Sequence, residues 1–337
     1  MRIDAAIRNA SESDVRTTGL HEPSSPVVSR RTAVVTGGAG FIGSHLSDAL
    51  LADGFEVVVI DDLSSGKLER VPAGAELEQI DIADVGALNA VVDAARPEAI
   101  YHLAAQSSVT ASVNNPARDC LVNVQGTLNV LEAAARHRAP IVFSSTGGAL
   151  YGDDAPIPTG EDRIPAPMAP YGASKWAGEA YVTTWAGSSR LPHAICRLGN
   201  VYGPRQSPHG EAGVVAIFSH HLWSGTRPTV FGEGAPTRDY VHVADVVRCM
   251  RTAIGTRGVF NVATEIETDV LGVLGHLQAA AGTSLEPILK PLREGELMRS
   301  CLATGHARDT LGFQTEIPLG DGLRSTYEAL VEEFKTR

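Results

Sequence analysis

TAVVTGGAGFIGSHL, residues 32–46, sets four glycines within seven positions directly behind a run of β-branched residues. The run TAVVT reads as a buried strand, and FIGSHLSDALLADG, from residue 41, as the helix that follows it. Between them Gly37, Gly40 and Gly43 satisfy G-x-x-G-x-x-G, and Gly38, Gly40 and Gly43 satisfy G-x-G-x-x-G. A glycine turn that ends a strand and opens a helix brings a pyrophosphate onto backbone N–H groups. A Cβ there is expected to occupy the phosphate's place. Gly37, Gly40, Phe41, Ile42 and Gly43 are therefore candidate cofactor-binding positions.

A glycine turn that merely packs a helix against a strand would have the same sequence, and the end of the next strand separates the two readings. FEVVVID delivers Asp61 eighteen residues after Gly43. A carboxylate there accepts hydrogen bonds from the adenosine ribose and repels a 2′-phosphate, which favours NAD over NADP. A one-residue slip of that strand would put Asp62 in the place of Asp61.

Outward from this unit the chain alternates. ELEQID reads as a strand, DVGALNAVVDAA as a helix and EAIYHLA as a strand. A helical stretch runs from Pro116 to His137, followed by the strand APIVFSST, a Pro-rich loop at 153–170, the helix YGASKWAGEAYVTTWAG and the strand HAICRLGN. Strands alternating with helices of this length imply right-handed crossovers and a parallel sheet covered on both faces. After residue 200 the elements shorten, separated by loops such as GPRQSPHGEAG and FGEGAPTRD.

Composition narrows the function classes. Of 337 residues 43% are hydrophobic and 20% charged, as in a globular protein with a sizeable core, and no apolar run approaches the ~20 residues a membrane span needs. Lys and Arg number 28 against 39 Asp and Glu, and a net charge of −11 repels nucleic acid, so neither membrane nor nucleic acid is an expected partner. The cysteines, Cys120, Cys196, Cys249 and Cys301, form no C-x-x-C pair and read as buried thiols in a reducing cytoplasm. His220 and His221 adjoin, with His209 and Glu211 near, but no H-x-x-x-H spacing occurs, and no metal site is expected. Residues 1–30 mix charges with Ser, Thr and Pro and read as a mobile tail.

A second constellation is Y-G-A-S-K. Tyr171 and Lys175, four apart on a helix, share a face. A phenol with a reference pKa near 10 is a poor base at pH 7 until a cation such as Lys175 lowers that value. The strand IVFSST carries Thr146, twenty-five residues before Tyr171, to the sheet's carboxyl edge, where open α/β sheets place their ligands. Its hydroxyl could pass a substrate proton to the phenolate.

With these residues in hand, the chain over about 32–335 resembles the extended short-chain dehydrogenase/reductase group, and within it the UDP-glucose 4-epimerases and their relatives. The resemblance rests on TGGAGFIGSHL, DDLSSGK at 61–67, DI at 81–82, HLAAQ at 102–106, NVQGT at 123–127, SSTGGALYG at 144–152, YGASK, RLGNVYGPRQ at 197–206, RDYVHVADV at 238–246 and REGEL at 293–297. It implies a Rossmann-like, doubly wound NAD-binding domain over 31–196, to which part of 229–262 returns. A smaller nucleotide-sugar-binding domain comes from most of 197–337. It further implies that Asp81 and Ile82 flank the adenine, that Leu103, Ala104, Ala105 and Asn123 lie along the cofactor, and that Thr146, Tyr171 and Lys175 are the catalytic set. Asn200, Arg238 and Arg293 would hold the nucleotide diphosphate, with Val214 and Val215 beside the uridine; two guanidinium forks suit a pyrophosphate. A homodimer joined through helices near 116–137 and 171–187 is implied as well, with Leu121, Val124, Leu128, Val130 and Leu131 compatible with either interface or core.

The implied reaction is redox-neutral. Tyr171 takes the proton of a sugar 4-hydroxyl while hydride leaves C4 for NAD, and the 4-keto sugar turns its other face before the hydride returns. Dehydratases of the group typically carry Asp-Glu after the active Thr, and related decarboxylases Ser-Glu nearby; here Gly147 and Gly148 follow Thr146, which favours epimerisation. The sugar could be a UDP-hexose, a UDP-N-acetylhexosamine or a UDP-uronate; keto-sugar reduction, 3,5- or 5-epimerisation and a non-catalytic dinucleotide sensor are the other readings. Many epimerases have three residues between the active hydroxyl and the following Tyr-Gly; this chain has four between Thr146 and Tyr151, which leaves Ser145 as an alternative to Thr146. Ala303 stands where relatives often have Asp, so the anchoring of the C-terminal region is expected to differ. Ser300 is a small residue where some epimerases have Tyr, leaving space for an N-acetyl group.

Overall fold

Val34 and Val35 are neighbours on one strand, and both are fully buried, because the strand has a core on each face. The computed structural model describes residues 31–209, 213–292 and 297–336. The expected tail at 1–30 and the candidate Arg293 lie outside them. In chain order the strands are β1 (Thr32–Thr36), β2 (Glu56–Ile60), β3 (Glu76–Glu78), β4 (Ala99–His102), β5 (Ile141–Thr146), β6 (Ala194–Leu198), β7 (Asn200–Tyr202), β8 (Thr229–Phe231), β9 (Thr237–His242), β10 (Gly258–Val262), β11 (Glu267–Asp269) and β12 (Ile288–Lys290). The helices are α1 (Phe41–Ala52), α2 (Val85–Ala95), α3 (Val109–Asn114), α4 (Pro116–Cys120), α5 (Gly126–His137), α6 (Pro170–Ser189), α7 (Val214–Trp223), α8 (Val243–Ala253), α9 (Val270–Ala281), α10 (Gly305–Leu311) and α11 (Leu319–Lys335).

Seven strands form one parallel sheet in the order β10-β6-β5-β4-β1-β2-β3. This is the doubly wound, Rossmann-like arrangement. The winding reverses between β1 and β4, and the crevice beyond their carboxyl ends is where such sheets bind ligands. One face packs Val35, Tyr101 and Phe260 together with residues of α1 and α8; the other packs Val34, Ile100 and Phe143 with residues of α2 and α5. Ala307 and Phe313, far along the chain, also belong to the first of these cores.

Beyond β6 a separate core gathers Tyr202, Phe218, Tyr240, Leu274 and Leu323 from β7, α7, β9, α9 and α11. A three-stranded sheet, β11-β9-β7, and the pair β12-β8 accompany it. Asp239 in β9 is fully buried and accepts hydrogen bonds from the N–H groups of Thr264, Glu265 and Leu302 at 2.7, 3.0 and 3.2 Å. Ala303 is held by backbone pairing with Thr159 and by the Asn261 amide on its carbonyl, so this segment is anchored without the carboxylate that relatives often place there.

The single helix expected over 116–137 is interrupted. Pro116 starts α4 with Asn115 as its cap, the turns widen to a π-helical segment over Leu121–Gln125, and α5 continues from Gly126. Such widened turns cluster at functional sites because they re-aim side chains. Among the described residues no helix is long and apolar enough to cross a membrane. Cys120 is exposed, contrary to the expectation that all cysteines are buried; it follows the surface of α4, whereas Cys196, Cys249 and Cys301 are buried.

Candidate active site

A cleft of about 820 Å³ opens along the carboxyl edge of the sheet. It runs from the glycine turn and the acids after β2 to Thr146, Tyr171 and Lys175. Gly37, Gly40, Phe41, Ile42, Gly43, Asp61, Asp81, Ile82, Leu103, Ala104 and Ala105 line it.

The glycines divide by what each one faces. A Cβ on Gly43 would stand 2.2 Å from the Gly37 carbonyl oxygen, and one on Gly37 2.6 Å from the Ala104 nitrogen. Gly38 would strike the Val59 side chain at 2.8 Å. The chain's own packing forbids side chains at these positions, a correction to the expectation that a phosphate alone excludes them. At Gly40 the single close approach is the Gly37 oxygen at 3.1 Å, so this glycine is the one that keeps the cradle open. The N-terminus of α1 has no side-chain cap and no acid in its first turn, which suits an anionic group there. The residues present fit a dinucleotide.

Asp61 is buried beside the turn, accepting from Ala39 N at 3.0 Å and Leu63 N at 2.9 Å. Burial raises its pKa against the pull of those two N–H groups, and the neighbouring Asp62 adds to the rise. Asp62 also lines the cleft but accepts from Ser64 and is less buried than Asp61. At the switch point Thr36 Oγ1 accepts from Leu103 N and Ala104 N, each at 3.2 Å, and lies 2.7 Å from His102 Nδ1. Burial and the Lys175 charge push His102 down to about 3, so it is neutral. It locks the ends of β1 and β4 together.

The Tyr171 hydroxyl is hydrogen-bonded to Thr146. Lys175, one turn further along α6, is 4% exposed; its Nζ donates to the Ser144 carbonyl at 2.8 Å and lies 4.8 Å over the Phe143 ring. Burial pushes the phenol up to about 12, against the hydrogen bond from Thr146, with the Asp119 charge adding to the rise. Burial pulls Lys175 down to about 8, opposed by Asp119 and Glu179. Thr146 Oγ1 also accepts from Ala149 N at 3.2 Å. Ser145, on the opposite face of the strand, donates to Glu179 Oε1 at 2.5 Å beneath α6. Glu179 is clamped by Arg197 Nε and Nη2 at 3.0 and 2.7 Å. Between the two hydroxyls, Thr146 is the one that meets Tyr171.

Other candidates stand apart from the cleft lining. Asn123, fully buried, is engaged within the protein: its Oδ1 accepts from Gln106 N, and its Nδ2 reaches Gln106 O, Asp119 and Ser174. It braces the 103–106 wall. Val215 is packed in the third core with Val214 against it. Arg238 donates to the Thr237 carbonyl. Asn200 is half-buried, its Oδ1 3.3 Å from where a Cβ on Gly148 would stand. Ser300 is buried, its N–H on the Thr237 carbonyl. Among the described residues no cluster of His, Cys, Asp and Glu is built to hold a metal; His209, His220 and His221 meet as rings.

The cleft also has a wall that the motifs did not mark. Gln206, Ser207, His209 and Gly213 line it from the loop after β7, and Arg70 and Arg118 line it near the acids. The Gly- and Pro-rich loop signalled only irregular backbone, and the arginines fall outside any motif.

The model described as the NAD dependent epimerase/dehydratase family matches residues 33–263, a span that holds the glycine turn, Asp61, Thr146, Tyr171 and Lys175. The chain belongs to this family. It is 44% identical over 304 residues to the UDP-glucose 4-epimerase of Mycolicibacterium smegmatis, covering 88% of this chain and 97% of that one. The structure of UDP-glucose 4-epimerase with UDP-glucose from Thermotoga maritima is similar at a TM-score of 0.88 and 41% identity, covering 90% and 99% of the two chains. That of Thermus thermophilus UDP-glucose 4-epimerase in complex with NAD is similar at 0.83 and 39%, covering 89% and 98%. The family's NAD dependence agrees with the position of Asp61, and its cofactor is NAD.

Thr146→Ala is expected to lower turnover by about 10²-fold, the scale of one proton-transfer partner. Ser145→Ala is expected to leave turnover within a few-fold and to cost about 1–3 kcal/mol in denaturant titration, since Glu179 loses a buried donor. The reverse pattern would make Ser145 the active hydroxyl. Because a cation favours the phenolate, Lys175→Met is expected to move the acid limb of the turnover–pH profile upward by about one unit or more. An unmoved limb would mean that Lys175 does not act on Tyr171.

Proposed function

We propose that the chain is a nucleotide-sugar 4-epimerase acting on a UDP-hexose. The observation that carries this reading is the Thr146–Tyr171–Lys175 cluster at one end of a cleft whose other end is a dinucleotide cradle. The first two cores would form the NAD-binding domain and the third the nucleotide-sugar domain, with 229–262 in part returning to the first.

NAD held in the cradle would supply the hydride acceptor for the sugar C4–H and, once reduced, the hydride donor to the same carbon. Tyr171 accepts the proton of the 4-hydroxyl as C4 becomes a ketone and returns it when the alcohol reforms, with Thr146 hydrogen-bonded to the same phenol. Lys175 favours the ionised phenol. Inversion needs the ketone to present its other face, which favours a hold on the nucleotide over one on the sugar. Asn200, Val214, Val215, Arg238 and Arg293 remain the candidates for that hold.

Elimination of water or loss of carbon dioxide would call for an acid beside Thr146. Gly147 stands there, and a Cβ on it would lie 2.2 Å from the Leu302 side chain. That side chain fills the space where a carboxylate would go. Ser300, as a small residue, favours acceptance of N-acetylhexosamines on size alone.

The proposed homodimer would use the outer faces of α3, the segment after α4, and α6, where Val113, Leu121, Trp176 and Tyr181 are exposed. Val130 and Leu131 belong to the core instead. Burying such large apolar side chains against a second copy is the usual outcome for a patch of this kind.

Incubation with NAD and UDP-glucose, UDP-galactose and their N-acetylamino forms, followed by NMR, is expected to show interconversion at C4 without net NADH. Release of water or carbon dioxide would move the protein to a sister reaction, and silence across the panel to another nucleotide. Light scattering is expected to give a dimer and Trp176→Glu a monomer; a monomeric wild type would remove this interface.

A further inference from the structure

Tyr171 has to present its hydroxyl at one place, yet the helix that carries it starts without a cap of its own. Ala169 offers no side-chain acceptor and Pro170 has no N–H, so the Tyr171 amide is the first donor of α6. Its acceptor comes from another helix: Ser112 Oγ, on α3, takes the Tyr171 N–H at 3.1 Å, and Ser112 is fully buried. The Tyr171 carbonyl accepts from Ser174 Oγ at 3.0 Å.

Both serines lead back to one carboxylate. Asp119, on α4, is 1% exposed, and its Oδ1 accepts from Gln106 Nε2 at 2.9 Å and from Asn123 Nδ2 at 3.1 Å. The shorter arm runs from the Asn123 amide to Ser174 Oγ at 3.0 Å. The longer arm runs through Gln106, whose Nε2 donates to the Ser108 carbonyl and whose Oε1 accepts from Ser108 N at 2.6 Å. Ser108 caps α3 through Ala111 N, and α3 carries Ser112 one turn further on. The arms differ in strength. Asn123 Nδ2 has three acceptors for its two hydrogens, and Gln106 Nε2 has two for two. Without Asp119 the Gln106 amide is one acceptor short, and a donor left unmet costs more than the bond itself contributes. Holding a carboxylate that far out of water is costly unless donors and an opposite charge attend it. The two amides do so, and so does Lys175, whose downward pKa shift the Asp119 charge opposes.

We propose that Asp119 is a positioning residue of the proton-transfer site: through Gln106 and α3 on one side and Asn123 and Ser174 on the other, it holds the backbone of Tyr171 so that the phenol meets Thr146. The effect on turnover rests on the nucleotide-sugar epimerase reading; the hold on Tyr171 does not. The rival is a carboxylate that only stabilises the fold.

The test compares hydrogen exchange, read by mass spectrometry on the full chain, with turnover of UDP-glucose. Asp119→Ala is expected to speed exchange about tenfold or more in peptides covering 108–112 and 171–175, while β1 and β5 keep wild-type protection. It is also expected to lower kcat by about 10–100-fold with KM within threefold, the pattern of a misplaced reacting group. Asp119→Asn keeps an acceptor oxygen in the same shape and is expected to restore both readouts to within threefold of wild type. Acceleration spread evenly over the sheet, or a loss of turnover that only follows the folded fraction, would assign Asp119 to stability and overturn the proposal. An Asp119→Asn variant that restores one readout or neither would overturn it as well. Should Asp119→Ala fail to fold, Gln106→Leu, which cuts the longer arm alone, is measured in its place, with local or even exchange deciding in the same way. If the wild type turns over no UDP-sugar, the epimerase reading falls, and the exchange pattern by itself decides the hold on Tyr171.

Discussion

Glu179 and Arg197 meet beneath the floor of the cleft, both less than a tenth exposed, where β5, β6 and α6 converge. Ser145 hangs from the carboxylate on one side, and the Tyr151 hydroxyl accepts from Arg197 at 2.7 Å on the other. Tyr151 passes the chain of bonds to Asn261 in β10, whose amide holds the carbonyls of Thr159 and Ala303. Removing one partner of such a pair typically costs about 3–5 kcal/mol, because the other charge stays buried. The pair sets which face of β5 looks into the cleft. With Ser145 held inward, alternation along the strand turns Thr146 outward to Tyr171.

The same region sets the charges around the Tyr171 phenol. Burial keeps Tyr171 protonated at neutral pH and pulls Lys175 down to about 8. Asp119 and Glu179, both buried, oppose the fall of the Lys175 pKa, so the ammonium persists beside the phenol at neutral pH. Asp119 acts on both members, raising each. The site is therefore a balance of charges held out of water, where each one matters more than it would at the surface.

The sheet and the cradle were legible in the sequence because their signals are local. β-branched runs, a glycine turn and an acid at a fixed spacing lie within one strand–helix–strand unit, and Tyr171 and Lys175 lie within one helical turn. Long-range placement was less legible. Nothing local in the sequence distinguishes Thr146 from Ser145; the distinction comes from Glu179 and Arg197, distant in the chain. Asn123 sits in a widened helical turn that directs its amide to Gln106 and Asp119, and helical periodicity cannot foresee such a turn. Gln206, His209 and Gly213 reach the cleft from a loop whose path only the packed structure defines. The purpose of the glycines was only partly legible: close packing against Ala104, Val59 and Gly37 needs the whole turn in place.

In the proposed reaction one proton acceptor and one hydride acceptor serve a single sugar carbon, and redox neutrality follows only if what leaves C4 returns to it. The most direct measurement is turnover of UDP-glucose deuterated at C4, with NMR of the UDP-galactose formed. Retention of deuterium at C4 of the product, with no exchange into solvent, is the predicted result. Loss of the label to water would contradict transient oxidation at C4 and the catalytic role given to Tyr171, Lys175 and Thr146.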